Sequence, residues 1–214
     1  MKNIYLFSGL GADHRAFAPL QLTGFSVTHI RWIQPFRNES MEQYARRLTN
    51  QITTPNPTLI GLSFGGMLAV EVAKLIPSER VVLLASAKTR SEIPVYFRLA
   101  GALHLHKLLP ARLLTETNRL IYWLFGVKTN SNKELLSDIL HDTDPIFLKW
   151  AINAIVTWRN VAFPNNVFHI HGTEDRVLPI CFIRSSVPVI GGGHLMTLEC
   201  APAISLILQQ VLDS

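Results

Sequence analysis

Cysteine is scarce: Cys181 and Cys200 are the two in 214 residues. Two cysteines in a chain of this size make no disulfide framework, and no Cys-x-x-Cys pair offers a metal site, so reduced thiols in a cytoplasmic protein are expected. Long apolar runs are also lacking. The run from Ile4 to Phe7 meets Gly9, Gly11, Asp13, His14 and Arg15 at once, which leaves no leader-peptide core of adequate length. The stretch from Val95 to Val127 is interrupted by Arg98, His104, His106, Lys107, Arg112, Glu116 and Arg119, whereas a spanning helix needs roughly 20 predominantly apolar residues. No membrane span is expected. Charged residues are only 16% of the chain. With no zinc-finger spacing, aromatic–basic strand signature or long basic run, nothing points to a nucleic-acid partner.

What the chain does have is 48% apolar residues in a length that buries one sizeable core, so a single domain over 1–214 is expected. Net charge is +5, and the excess is uneven. Residues 88 to 133 hold Lys88, Arg90, Arg98, Lys107, Arg112, Arg119, Lys128 and Lys133 against Glu92 and Glu116. That segment is either a solvated helical face or a receiver for negatively charged groups.

Short apolar runs alternate with helical patterns, as in βα units with a mostly parallel sheet. Strands are expected at Ile4–Ser8, Phe25–Trp32, Thr58–Leu62, Val81–Ala85, Asn166–His171 and Val187–Ile190. Their apolar character is continuous more than alternating, which predicts helices on both faces, an α/β/α sandwich. Asp13 to Leu22 predicts a short helix. Ser40-Met41-Glu42-Gln43 has the form of a capping box and predicts a helix to about Ile52. Further helices are expected from Phe64 to about Ile76, ended by Pro77, and from Pro202 to Leu212. Residues 88 to about 160 break the alternation with several helical stretches and no strand. Their apolar and aromatic side chains, including Tyr96, Phe97, Leu103, Leu120, Trp123, Phe147 and Trp150, call for packing partners, and a helical cap over the strand ends would provide them while lining a pocket.

The chemistry centres on Gly61-Leu62-Ser63-Phe64-Gly65-Gly66, at a strand-to-helix junction. A serine on so sharp a turn projects its hydroxyl from the sheet edge, and the glycines on either side relieve the crowding. A serine hydroxyl needs a base beside it. His194, after the strand ending at Ile190 and the turn Gly191-Gly192-Gly193, is the candidate. Asp175, in His171-Gly172-Thr173-Glu174-Asp175, is the candidate carboxylate to orient that histidine, and Glu174 is the competing acid. Backbone donors for a developing oxyanion are expected at Phe64 and in the turn Ser8-Gly9-Leu10-Gly11, with Leu10 ahead of Gly9 and Gly11.

Through Ser8 to Gly11, the Gly61 to Gly66 elbow, His171 to Asp175 and Gly193-His194, and through the chain order serine, acid, histidine, the sequence resembles the α/β-hydrolase family. Ser8 stands where family members often have histidine. The resemblance covers the chain outside the insertion and implies six parallel strands, with the leading hairpin of the family sheet missing and residues 88–160 as its helical cap. It also implies a cofactor-free and metal-free hydrolase acting on a small-molecule substrate. A serine at the elbow disfavours the epoxide and haloalkane branches. Cleavage of a small to medium hydrophobic acyl or aryl ester is the default, with thioester or carbon–carbon hydrolysis and non-catalytic ligand binding as alternatives.

Overall fold

Six apolar and β-branched segments pair in parallel. In the computed structural model, which describes residues 2–105 and 116–213, β1 (Asn3–Phe7) lies between β2 (Ser26–His29) and β3 (Thr58–Leu62), and β4 (Arg80–Leu84), β5 (Val167–Gly172) and β6 (Val187–Val189) follow outward. The order is β2-β1-β3-β4-β5-β6. The chain reverses its direction of travel across the sheet between β1 and β3, so the loops leaving these strands part and open a crevice at their carboxyl ends.

The pleat divides the core. Ile4, Leu6, Ile60, Leu62, Val82, Leu84 and Ile170 face one side; Tyr5, Phe7, Leu59, Val81 and Leu83 face the other. Helix α1 (Met41–Leu48) covers the second face. It opens on a complete capping box, in which Ser40 Oγ accepts from Gln43 N–H at 3.2 Å and Gln43 Oε1 accepts from Ser40 N–H at 2.9 Å. Helix α2 (Phe64–Ala73) also packs there, buried from Phe64 through Val72, a central helix with no solvent face.

Four helices lie between β4 and β5 among the described residues: α3 (Val95–Ala102), α4 (Arg119–Phe125), α5 (Asn130–His141) and α6 (Pro145–Thr157). The short α7 (Met196–Glu199) and the terminal α8 (Ala201–Asp213) close the first face. Phe147 and Trp150 of α6 join Trp32, Tyr44 and Phe64 in an aromatic cluster, with ring centroids 4.3 Å apart for Tyr44 and Trp150 and 5.6 Å apart for the stacked Trp32 and Phe147. Tyr96, Leu99, Leu103, Leu120 and Trp123 remain exposed, so the apolar stripe of the insertion is only partly core. Lys107, Leu108, Leu109 and Arg112 lie outside the described residues.

Three expectations need correction. The helix expected from Asp13 to Leu22 is only a 3-10 turn, His14–Phe17, because Pro19 has no N–H to continue the spiral. The second strand is shorter than Phe25–Trp32, and all four of its residues are exposed, because an edge strand has one neighbour and little cover. Lys88 is no part of a basic surface. It is buried, its ammonium 3.5 Å from the Glu92 carboxylate, and it also donates to the backbone carbonyl of Arg184.

Other buried polar groups pair within the core. Glu71 in α2 accepts from Trp158 Nε1 at 2.8 Å and sits 2.5 Å from Lys74 Nζ. On β5, His171 Nε2–H donates to the Leu178 carbonyl at 2.7 Å. That proton leaves His171 Nδ1 to accept from His169 Nε2 at 3.2 Å. Burial, followed by repulsion from the other imidazole and from Lys88, holds His169 well below the usual histidine range. Burial also lowers His171.

Both histidines are therefore neutral when folded, while in the unfolded chain they take up protons near pH 6.5. A base with a depressed folded pKa contributes stability that is complete above the unfolded value and is lost as pH falls below it. Urea unfolding between pH 7.5 and 5.5 should accordingly show stability falling with acid by up to about 1.4 kcal/mol per pH unit for each histidine. The slope should be smaller in His169→Gln. A second outcome concerns the elbow: Gly65→Ala should cost about 1–3 kcal/mol in the same assay, since its methyl group would press on the carbonyl oxygens of Phe7 and Ser8.

Candidate active site

The turn between β3 and α2 is a single residue. Ser63 has φ 52° and ψ −120°, a backbone conformation that L-residues seldom adopt, and its surroundings hold it there. Its N–H donates to Leu84 O at 2.9 Å, and its carbonyl accepts from Ser86 Oγ at 2.6 Å. The helix must begin at once against the sheet, which explains the glycines. A side chain at Gly61 would collide with the backbone of Gly65 and Gly66, one at Gly65 with the carbonyls of Phe7 and Ser8, and one at Gly66 with the Ser86 hydroxyl.

Ser63 Oγ lies 2.8 Å from His194 Nε2, and His194 Nδ1 lies 2.8 Å from Asp175 Oδ2. Three loops from the ends of β3, β5 and β6 thus meet in one hydrogen-bonded chain. The carboxylate fixes the imidazole tautomer: Asp175 can only accept, so Nδ1 carries the proton and Nε2 is free to receive one from the serine. His194 is 2% exposed and Asp175 is 4% exposed. Burial pulls the Asp175 carboxyl upward, yet attraction to the His194 ring when it is protonated and the hydrogen bond from it, with the amide of Leu178, outweigh it and leave the carboxyl below its ordinary value. Its other oxygen accepts from the N–H groups of Val177 and Leu178 at 2.9 and 2.8 Å.

The acid and histidine loops are locked together by their backbones. Glu174 N–H donates to Gly192 O at 2.8 Å, Thr173 N–H to Val189 O at 3.0 Å, and Gly191 N–H to Thr173 Oγ1 at 2.9 Å. A Cβ on Gly172 would strike the Gly192 carbonyl, so this approach requires glycine. Glu174 itself points elsewhere, pairing with Lys128 at 3.6 Å in solvent. From the far side, α4 walls the imidazole: Phe125 meets the His194 ring edge-on at 5.6 Å, and Leu195 N–H donates to Phe125 O at 3.0 Å.

The N–H of Phe64, as the first in α2, has no partner within its helix. The loop carrying Leu10 lies beside it, where a Cβ on Gly9 would be 3.5 Å from Ser63 Cβ. Two residues near the site have no role that the sequence motif assigns. His171 Nε2 is 3.4 Å from Asp175 Oδ2, behind the carboxylate. Ser86 braces the elbow. His171 stood in the quoted run His171 to Asp175, but only the strand register turns it toward the carboxylate, and nothing local marks Ser86.

Beyond the Ser8 to Ala12 loop lies a cavity of about 190 Å³. Gly11, Ala12, Trp32, Ile33, Ile139 and Phe147 give it apolar walls, and Asp13, Asp142 and Asp144 also line it. Among the described residues no group of three histidine, cysteine or carboxylate side chains is placed to hold a metal ion. Among the same residues no helix is long and apolar enough to cross a membrane.

No family model matches the sequence, and no curated protein matches it. Solved structures do match, across the whole chain. An esterase from Exiguobacterium antarcticum superposes with a TM-score of 0.72 at 14% identity, covering 100% of this chain and 92% of that one. A lipase-esterase related protein from Clostridium acetobutylicum gives 0.72 at 18% identity, with 98% and 94% coverage. An enol-lactonase from Burkholderia xenovorans gives 0.68 at 20%, with 100% and 92% coverage. With its all-parallel six-stranded sheet flanked by helices on both faces and its whole-chain likeness to these structures, the chain has the α/β-hydrolase fold.

Proposed function

We propose that this protein is a serine hydrolase that cleaves small hydrophobic carboxylic esters through an acyl-enzyme. The observation that carries the reading is the unbroken chain from the Ser63 hydroxyl through His194 to Asp175, with both links at 2.8 Å. In this reading Ser63 Oγ attacks the ester carbonyl as its proton passes to His194 Nε2, and Asp175 stabilises the imidazolium that forms. The N–H groups of Phe64 and Leu10 receive the oxyanion. His194 then returns its proton to the leaving alcohol, and the same imidazole takes a proton from the water that attacks the acyl-enzyme and releases the acid.

Helices from 88–160 act as a cap over the strand ends, and its α4 supplies the wall against His194. In this reading the cavity beside the Ser8 to Ala12 loop, whose lining includes neither Ser63 nor His194, takes the far end of the acyl chain, and its volume of about 190 Å³ favours short chains. Both thiols are free, as suits a cytoplasmic enzyme. The Exiguobacterium and Clostridium structures, named as an esterase and a lipase-esterase related protein, are in keeping with this chemistry.

Turnover of p-nitrophenyl butyrate and labelling by a fluorophosphonate should both be present in the native protein. Ser63→Ala should abolish the label and lower kcat by about 10³-fold or more. Retained turnover in that variant would refute the assignment. Asp175→Asn should keep the fold and lower kcat by about 10⁴-fold, because the amide can present its N–H to Nδ1 and so favour the wrong tautomer. In a series of esters from acetate to octanoate, activity should fall beyond butyrate, and Ile33→Ala, which enlarges the cavity, should shift the preference toward longer chains.

A further inference from the structure

On the outer side of α4, away from the aromatic cluster, a second cleft of about 410 Å³ opens between the insertion and the acid loop. Four cations line it: Arg119, Lys128, Lys133 and Arg176. They come from α4, the loop after it, α5 and the residue following Asp175, so the tertiary fold brings them together. Among the described residues, no carboxylate shares the lining. The nearby acids are occupied at its margin. Glu174 pairs with Lys128 at 3.6 Å, and Glu199 accepts from the backbone N–H groups of Lys128 and Thr129 and from Asn132 Nδ2.

Two aromatic rings complete the walls. The Arg176 guanidinium lies 4.6 Å over the Trp123 ring and donates to Trp123 O at 2.8 Å, while Lys133 Nζ stands 6.0 Å from the Tyr122 ring. These contacts orient the cations without neutralising them. Among the described residues, neither Arg119 nor Lys133 forms an ion pair with a carboxylate. Like charges gathered in a concave surface repel one another and focus a positive potential, and a multivalent anion would relieve the repulsion.

We propose that this cleft is a binding site for a small polyphosphate group, either a free anion or the phosphate portion of an acyl carrier. Guanidinium groups match phosphate oxygens in a bidentate way, and the lysines add point charges. A bound diphosphate would tie α4 to the acid loop at Arg176. The same α4 holds the His194 loop through Phe125 O, so the anion would also brace the wall of the imidazole. The site stands apart from the proposed ester chemistry and is read by binding alone.

The experiment is isothermal titration of the full chain with inorganic pyrophosphate at low salt. Saturable binding at one site is expected, weakening as sodium chloride is raised. It should be unchanged in Ser63→Ala and at least about tenfold weaker in the double variant Arg119→Gln with Lys133→Gln, whose circular dichroism should match the native chain. Absence of saturable binding, or equal affinity in the double variant, would overturn the site. A parallel titration with coenzyme A separates the sources. Tighter binding than pyrophosphate, lost in the double variant, assigns the cleft to a thioester carrier; binding of pyrophosphate alone assigns it to a free anion. Loss of esterase activity in Ser63→Ala with binding intact supports the cleft as a site independent of the ester chemistry.

Discussion

The close approach of α2 to the sheet at Ser63 is the constraint on which the rest depends. A helix that starts one residue after a strand must press its first turn on the carbonyls of Phe7 and Ser8, and only glycine at 61, 65 and 66 leaves room. The strained φ of 52° at Ser63 is the local cost. Fixed on both sides by Leu84 O and Ser86 Oγ, the turn aims the hydroxyl into the crevice that the strand order opens between β1 and β3.

A second set of close contacts brings the partners to that hydroxyl. Gly172 against Gly192, with three hydrogen bonds between the acid and histidine loops, makes the two loops behave as one body. His171 and the amides of Val177 and Leu178 surround the Asp175 carboxylate. The result is a buried anion held by several donors instead of one, and a buried carboxylate needs that many to stay charged. The wall supplied by Phe125 and the aromatic cluster around Phe147 tie the inserted helices to both sides of this frame.

Much of this was legible in the sequence, for reasons that differ by residue. Gly61-x-Ser63-x-Gly65 announces itself because steric demand acts on adjacent positions. Ser40 and Gln43 announce α1 because a cap is likewise local. The central strands follow from continuous apolar runs, since both of their faces are covered. Local signals failed where partners come from far away in the chain. Lys88 looked like a surface cation, yet Glu92 and the Arg184 carbonyl bury it. Arg176 lies outside the basic segment 88–133, yet it closes the basic cleft through Trp123, 53 residues earlier. The strand after Gly24 is shorter than its apolar run because composition cannot tell an edge from a centre, and the helical pattern after Asp13 stops short because Pro19 interrupts it.

The fold alone does not decide among acyl transfer, other bond cleavage and simple binding; the covalent intermediate does. Acid quenching of the native chain within milliseconds of mixing with p-nitrophenyl butyrate, followed by proteolysis and peptide mass spectrometry, tests it directly. The account predicts a butyryl group on the peptide containing Ser63, decaying as turnover completes. Rapid turnover with that peptide unmodified at every time point, or with the acyl group on another residue, would contradict it.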